Sequence, residues 1–155
     1  MDSYKEMKNI LEKIPEEKSI IIAGHENSDM DSIGASLAMA YFLENLGKKD
    51  ITVLIEKKDM YKIKWFKNMK FIENEIKKDN YVFIMVDLNR KSRLGKYEEY
   101  FDKAEITINI DHHEANKKES NYILENADIS STCELLYNLI NLFDKKMNKD
   151  IASLL

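Results

Sequence analysis

The chain has one cysteine, one proline, four glycines and three histidines in 155 residues. A single cysteine, Cys133, excludes an intramolecular disulfide framework and any cysteine-rich zinc site. Scarce Gly and Pro exclude a low-complexity linker protein. There is no excess of positive charge: 24 basic and 28 acidic residues leave a net charge of -4. A broad electrostatic grip on duplex nucleic acid is therefore not expected, because little counterion release is available to drive it. No stretch approaches the ~20 apolar residues of a membrane helix, and the charged segment Met1–Glu17 has no signal-like apolar core. A cytoplasmic, reducing location without membrane attachment is the expectation. Hydrophobic residues make up 44% of the chain, enough for one core, and the length suits one domain over residues 1–155.

The pattern alternates between helix and strand. Residues 3–14 place Met7, Ile10, Leu11 and Ile14 at helical spacing, and Pro15 stops that helix. Ser19–Ala23 is a short β-branched run that predicts a buried strand. A polar loop follows over Gly24–Asp31, then a helix over Ser32–Leu46 ending before Gly47. Further strands are predicted at Ile51–Ile55, Tyr81–Val86 and Glu105–Ile110. Short helices are expected over Asp59–Phe66 and Lys70–Ile76. Ser131, with Glu134 three residues on, forms a capping box for a helix over Ser131–Phe143, and Asn148 caps a last one. The expected class is α/β, a parallel sheet of at least four strands with helices on both faces.

In such sheets, sites form at the carboxyl ends of strands. Gly24-His25-Glu26-Asn27-Ser28-Asp29-Met30-Asp31 follows the first strand. Asp87 follows the third, and Asp111-His112-His113 follows the fourth. All three histidines and four aspartates are thus expected on one edge of the sheet. Crowded carboxylates raise one another's pKa, and divalent cations remove that conflict. Imidazole with carboxylate suits Mn, Fe, Co or Zn, and several carboxylates lean towards Mn or Mg. Asp29 and Asp31, alternate on one loop, can serve two neighbouring ions bridged by Asp87, the arrangement of a two-metal hydrolytic site.

The remaining reactive residues read more simply. Arg90, Lys91 and Arg93 are expected to be a solvated charged loop in preference to phosphate contacts, and Lys117 and Lys118 read alike. Trp65 and Phe66 are expected in the core with Ile63 and Met69, in preference to stacking a base. Cys133 is expected to be a small buried hydrophobe. Gly34 suits either a close approach to the metal loop or plain helix–strand packing.

These residues carry a resemblance. His25-x-x-x-Asp29-x-Asp31-x-x-Gly34-Ala35, the strand ending Val86-Asp87, and Ile110-Asp111-His112-His113 resemble motifs one to three of the DHH phosphoesterase family. Arg93-Leu94-Gly95 and Ser130-Ser131-Thr132 also stand where related chains carry similar residues. The likeness runs from about Ile10 to Leu155. It implies a dinuclear, usually manganese-dependent phosphoesterase. His25, Asp29 and Asp87 would hold one ion, and Asp31, Asp87 and His112 the other. His113 would contact the scissile phosphate, and Asp111 would orient its neighbours. The implied reaction is in-line attack on phosphorus by water activated at the ions.

The resemblance also implies what is missing. Related proteins carry a fourth motif, whose aspartate completes the second metal, and a Gly-rich C-terminal DHH-associated domain. Neither is present in the 155 residues, and the fifth strand is expected to be missing with them. Weak turnover and an uncovered face that allows a homodimer are the expected consequences. The implied substrates are short oligonucleotides or nucleotides, as in nanoRNase/pAp phosphatases. A cyclic-di-AMP phosphodiesterase, which shares Met30-Asp31-Ser32-Ile33-Gly34, is the alternative within the family. A non-catalytic metal- or nucleotide-binding module is the alternative outside it.

Overall fold

A computed structural model describes residues 2–114, 117–144 and 146–155. Six parallel strands form one sheet: β1 (Ser19–Ala23), β2 (Asp50–Leu54), β3 (Ile72–Glu73), β4 (Val82–Val86), β5 (Ile106–Asp111) and β6 (Tyr122–Glu125). Their order is β3-β2-β1-β4-β5-β6. The chain therefore winds outward from β1 in one direction, returns, and winds outward from β4 in the other. Between β1 and β4 lies the switch point, where loops leave the sheet in opposite directions and open a crevice.

Both central strands read as unbroken apolar runs because both faces are covered. Ile20 and Ile22 of β1, with Val82, Ile84 and Val86 of β4, belong to the larger core. Helices α1 (Ser3–Lys13), α2 (Met30–Asn45), α4 (Thr132–Ile140) and α5 (Lys149–Leu154) contribute to that side. Ile21, Ala23, Phe83 and Met85 face the opposite core, which is closed by Leu94, Tyr97 and Phe101. Those three come from a 3₁₀ segment (Lys91–Tyr97) and helix α3 (Glu98–Asp102). Helix α2 is buried continuously from Ser32 to Leu43, as expected of a helix that is apolar all round.

The structure departs from the sequence pattern in several places. The sheet has six strands, in keeping with the expected minimum of four, so the fifth strand expected to be missing is not. Lys70–Ile76 is not helical: Ile72–Glu73 is a two-residue edge strand, placed by Val53 N–H donating to the Phe71 carbonyl at 2.8 Å. Tyr122–Glu125, an element absent from the sequence reading, pairs with β5 as the opposite edge. Helix α2 starts two residues early, so Asp29 is its N-cap, accepting from Ser32 N at 2.9 Å, and Asp31 lies in its first turn. The Ser131 cap holds, but Glu134 reaches back to Ser130 rather than to Ser131. Phe66 is buried as expected, whereas Trp65 is 52% exposed. At Gly34 a Cβ would lie 2.4 Å from the Leu154 carbonyl oxygen. That glycine admits the end of α5 against α2, a contact that neither sequence reading named.

Candidate metal centre

His25, Asp87 and the pair His112-His113 leave β1, β4 and β5 at their carboxyl ends, on both sides of the switch point. Asp87 is in the left-handed region with φ 65°, where non-glycine residues are uncommon and costly. Its amide is anchored to the Ile110 carbonyl at 3.0 Å. This conformation turns the chain sharply out of β4, with Asp87 almost completely buried.

The Asp87 carboxylate stands between the histidines. Its Oδ2 is 3.7 Å from His25 Nε2, and its Oδ1 is 3.7 Å from His112 Nε2. Asp29 Oδ2 lies 3.6 Å from His25 Nε2, and Asp31 Oδ2 lies 3.9 Å from His112 Nε2. His113 Nδ1 is 2.7 Å from Asp111 Oδ1 and 3.9 Å from Asp87 Oδ1. All seven residues singled out in the sequence are thus brought to one place.

The donor atoms fit a cation. His25 Nδ1 hydrogen-bonds the Glu26 carbonyl at 2.8 Å, and His112 Nδ1 approaches the Ile129 carbonyl at 3.4 Å. A carbonyl only accepts, so each Nδ1 carries a proton, and Nε2 is the nitrogen whose lone pair a neutral ring offers to a cation. Those lone pairs face carboxylate oxygens at 3.6–3.9 Å. Such separations are too long for hydrogen bonds but leave room for an ion bound at about 2.1 Å from each ligand. Two groups have donor atoms drawn together within 4.8 Å: His25, Asp29 and Asp87, and separately Asp87, Asp111, His112 and His113. Asp87 belongs to both.

Electrostatics agree. Burial, then the negative charges of Asp31, Asp29 and Asp111, push the Asp87 carboxyl up to about 6 against the pull of a Thr132 hydrogen bond. A cation beside it relieves that penalty. Asp31 behaves differently. Burial raises its pKa, but hydrogen bonds from Cys133 and Thr132, with the nearby His112, bring it below the ordinary carboxylate range. Both Asp31 oxygens are occupied: Oδ2 accepts from Thr132 N at 2.9 Å and Oδ1 from Cys133 N at 3.0 Å.

The surrounding shell includes residues to which the sequence reading gave no role. Thr132 Oγ1 donates to Asp87 Oδ1 at 2.8 Å. Glu26 N–H donates to the Arg93 carbonyl at 2.7 Å, tying the His25 loop to the 3₁₀ segment. Asp59 accepts from Ser28 N–H at 3.3 Å and pairs with Lys62 at 2.7 Å, bracing the same loop from below. The signals for Thr132 were the capped start of α4 and the likeness of Ser130-Ser131-Thr132 to related chains. They pointed nowhere while β6, whose exit loop delivers α4, went unseen. Arg90 and Arg93 are exposed, and Lys91 pairs with Asp102 at 2.6 Å, as a solvated loop should. Cys133 is buried. Burial first, then its contact with Asp31, drives its thiol far above the ordinary range.

No helix among the described residues is long and apolar enough to cross a membrane. The comparisons agree with this architecture. No curated protein matches the chain. A crystal structure of an exopolyphosphatase-related protein from Bacteroides fragilis is similar to it, with a TM-score of 0.78 and 22% identity. That likeness covers 98% of this chain and 47% of the other, so the chain spans about half the length of that structure. At such identity the likeness concerns the fold. Residues 19–155 match the N-terminal domain of the DHH family. With the whole sheet, its switch point and every histidine inside that match, the chain belongs to the DHH family.

Proposed function

We propose that this chain is the metal-binding domain of a phosphoesterase that hydrolyses phosphate ester bonds of short oligonucleotides or nucleotides with two divalent ions, manganese above others. The observation that supports the reading is the shared carboxylate of Asp87, with one oxygen facing His25 and the other facing His112. Two ions held on either side of such a carboxylate supply Lewis acidity towards a phosphoryl oxygen and an acidified water.

The chain's own residues have separate tasks in this reading. His25, Asp29 and Asp87 hold the first ion, and Asp31, Asp87 and His112 the second. Buried Asp111 fixes the ring of His113 through Nδ1. His113 is the most exposed of the three histidines, with 43% of its side chain accessible against 10% and 20% for His25 and His112. Its Nε2 is thereby offered to a substrate phosphate, where as an N–H donor it would stabilise the charge that develops on the phosphoryl oxygens. The net charge of -4 favours a small ligand held locally over a duplex.

A second reading has its own observation. Both oxygens of Asp31 accept backbone hydrogen bonds from α4, which leaves each one lone pair for the second ion. A one-ion, non-catalytic metal- or nucleotide-binding module is the function that follows if the second position does not fill. The test is hydrolysis of a 5′-phosphorylated diribonucleotide, of adenosine 3′,5′-bisphosphate and of cyclic di-AMP, each with manganese. Turnover above buffer that EDTA and Asp87→Ala both abolish supports the enzyme and ranks its substrates. Manganese binding without turnover of any of them supports the second reading.

A further inference from the structure

We infer that Thr132 is the positioning residue of the metal centre: its hydroxyl fixes the Asp87 carboxylate while its amide fixes that of Asp31. The inference rests on the reading of these two aspartates as metal ligands.

Three observations carry it. Thr132 Oγ1 donates to Asp87 Oδ1 at 2.8 Å, between two side chains with almost no solvent access. Thr132 N donates to Asp31 Oδ2 at 2.9 Å, and Cys133 N to Asp31 Oδ1 at 3.0 Å. The two aspartates reach this point from different elements, Asp31 from the first turn of α2 and Asp87 from the end of β4. One residue at the first position of α4 therefore sets the distance between carboxylates that lie 56 positions apart in the chain (87 − 31).

The chemistry suits this residue type. A hydroxyl donates once and also accepts, so its single proton commits one lone pair of Asp87 Oδ1 and leaves Oδ2 to face His25. A β-branched side chain has few χ1 rotamers, and burial selects one. The hydroxyl is thereby held in place at little entropic cost. The unpaired amides at the start of a helix favour a carboxylate, so α4 secures Asp31 whichever metal is bound. Ser131, the residue before, caps α4 in the usual manner and accepts from Glu134 N at 3.1 Å. Thr132 is therefore free of the capping task that would otherwise explain a hydroxyl here.

The experiment compares the whole chain with Thr132→Val and Thr132→Ser. Thermal melting in EDTA reads the fold, and calorimetric titration with manganese reads the centre. Thr132→Val keeps the amide and the shape but lacks the donor. It is expected to melt as a folded protein and to bind manganese about 10- to 100-fold more weakly, the usual cost of losing a group that orients metal ligands. Thr132→Ser restores the hydroxyl and should return affinity to within threefold of the native chain. Manganese affinity in folded Thr132→Val equal to the native value overturns the inference. If Thr132→Val does not fold, a tenfold loss of affinity in folded Thr132→Ser overturns it, since the hydroxyl is still there. Absence of manganese binding by the native chain overturns the metal reading underneath, an outcome distinct from both.

Discussion

His113 Nδ1 and Asp111 Oδ1 are 2.7 Å apart, and the other oxygen of Asp111 is buried with no hydrogen-bond partner among the described residues. The carboxylate thus spends its interactions on one ring and orients it through Nδ1. In the proposed function His113 contacts substrate and is not a metal ligand, so its replacement by alanine tests that assignment. His113→Ala should bind manganese within about threefold of the native chain and lose roughly 10²- to 10³-fold in turnover of whichever nucleotide is cleaved. Calorimetry beside a hydrolysis assay checks it. A parallel loss of both properties would instead make His113 a ligand.

Asp87 makes the metal-free chain sensitive to pH. Its carboxyl is pushed up to about 6 by burial and then by neighbouring aspartates, so the folded state binds its proton more tightly than the unfolded state does. For this group, stability is fully present below about pH 4 and is lost as the pH rises through 6, by of order 3 kcal/mol. Asp31, whose pKa is lowered, contributes with the opposite sign and matters only below about pH 4. Urea unfolding in EDTA at pH 4.5 and 7.5 should show Asp87→Asn gaining on the native chain at the higher pH. Equal differences at both values would contradict the assignment.

Gly24 tests how tightly the metal loop is packed. A Cβ there would lie 1.9 Å from Ser32 Oγ and 3.4 Å from the Val86 carbonyl oxygen. Gly24→Ala should cost roughly 1–3 kcal/mol, the range for overpacking a filled interior. In the Ser32→Ala background, where the offending hydroxyl is gone, most of that cost should vanish. A double-mutant cycle in denaturant reads the coupling. Additive costs would mean that Gly24 and Ser32 are not in contact.

Much of this centre was legible in the sequence, for a physical reason. β1 and β4 lie in the middle of a parallel sheet, so their unbroken apolar runs are unambiguous and the polar residues after them stand out. Edge elements carry less signal. β3 spans two residues and β6 four, and pairing with a neighbour, not local pattern, creates them. Asp31 shows a different limit. Its place in the motif suggested a loop ligand, whereas hydrogen bonds from α4, about 100 residues away, occupy both of its oxygens. No local spacing encodes that contact. The exposure of Trp65 is also tertiary: Phe66, its neighbour, packs on Tyr41 with ring centroids 5.7 Å apart, and the backbone then turns Trp65 outward.

Cys133 offers a chemical check on the packing of α4. Its thiol is buried and its pKa is held far above the ordinary value, first by burial and then by Asp31. Only the thiolate is nucleophilic. Iodoacetamide at pH 8 should therefore leave the native chain unmodified over hours and alkylate it fully in denaturant, as mass spectrometry will show. Rapid alkylation of the native protein would mean that α4 does not stay docked on α2.

The central claim is that His25, Asp29 and Asp87 hold a metal ion at the switch point of the sheet. Anomalous diffraction from manganese-soaked crystals tests it most directly. The account predicts a strong peak bounded by His25 Nε2, Asp29 Oδ2 and Asp87 Oδ2, with a second, weaker peak beside His112. Crystals at saturating manganese with no peak at these three atoms would contradict it.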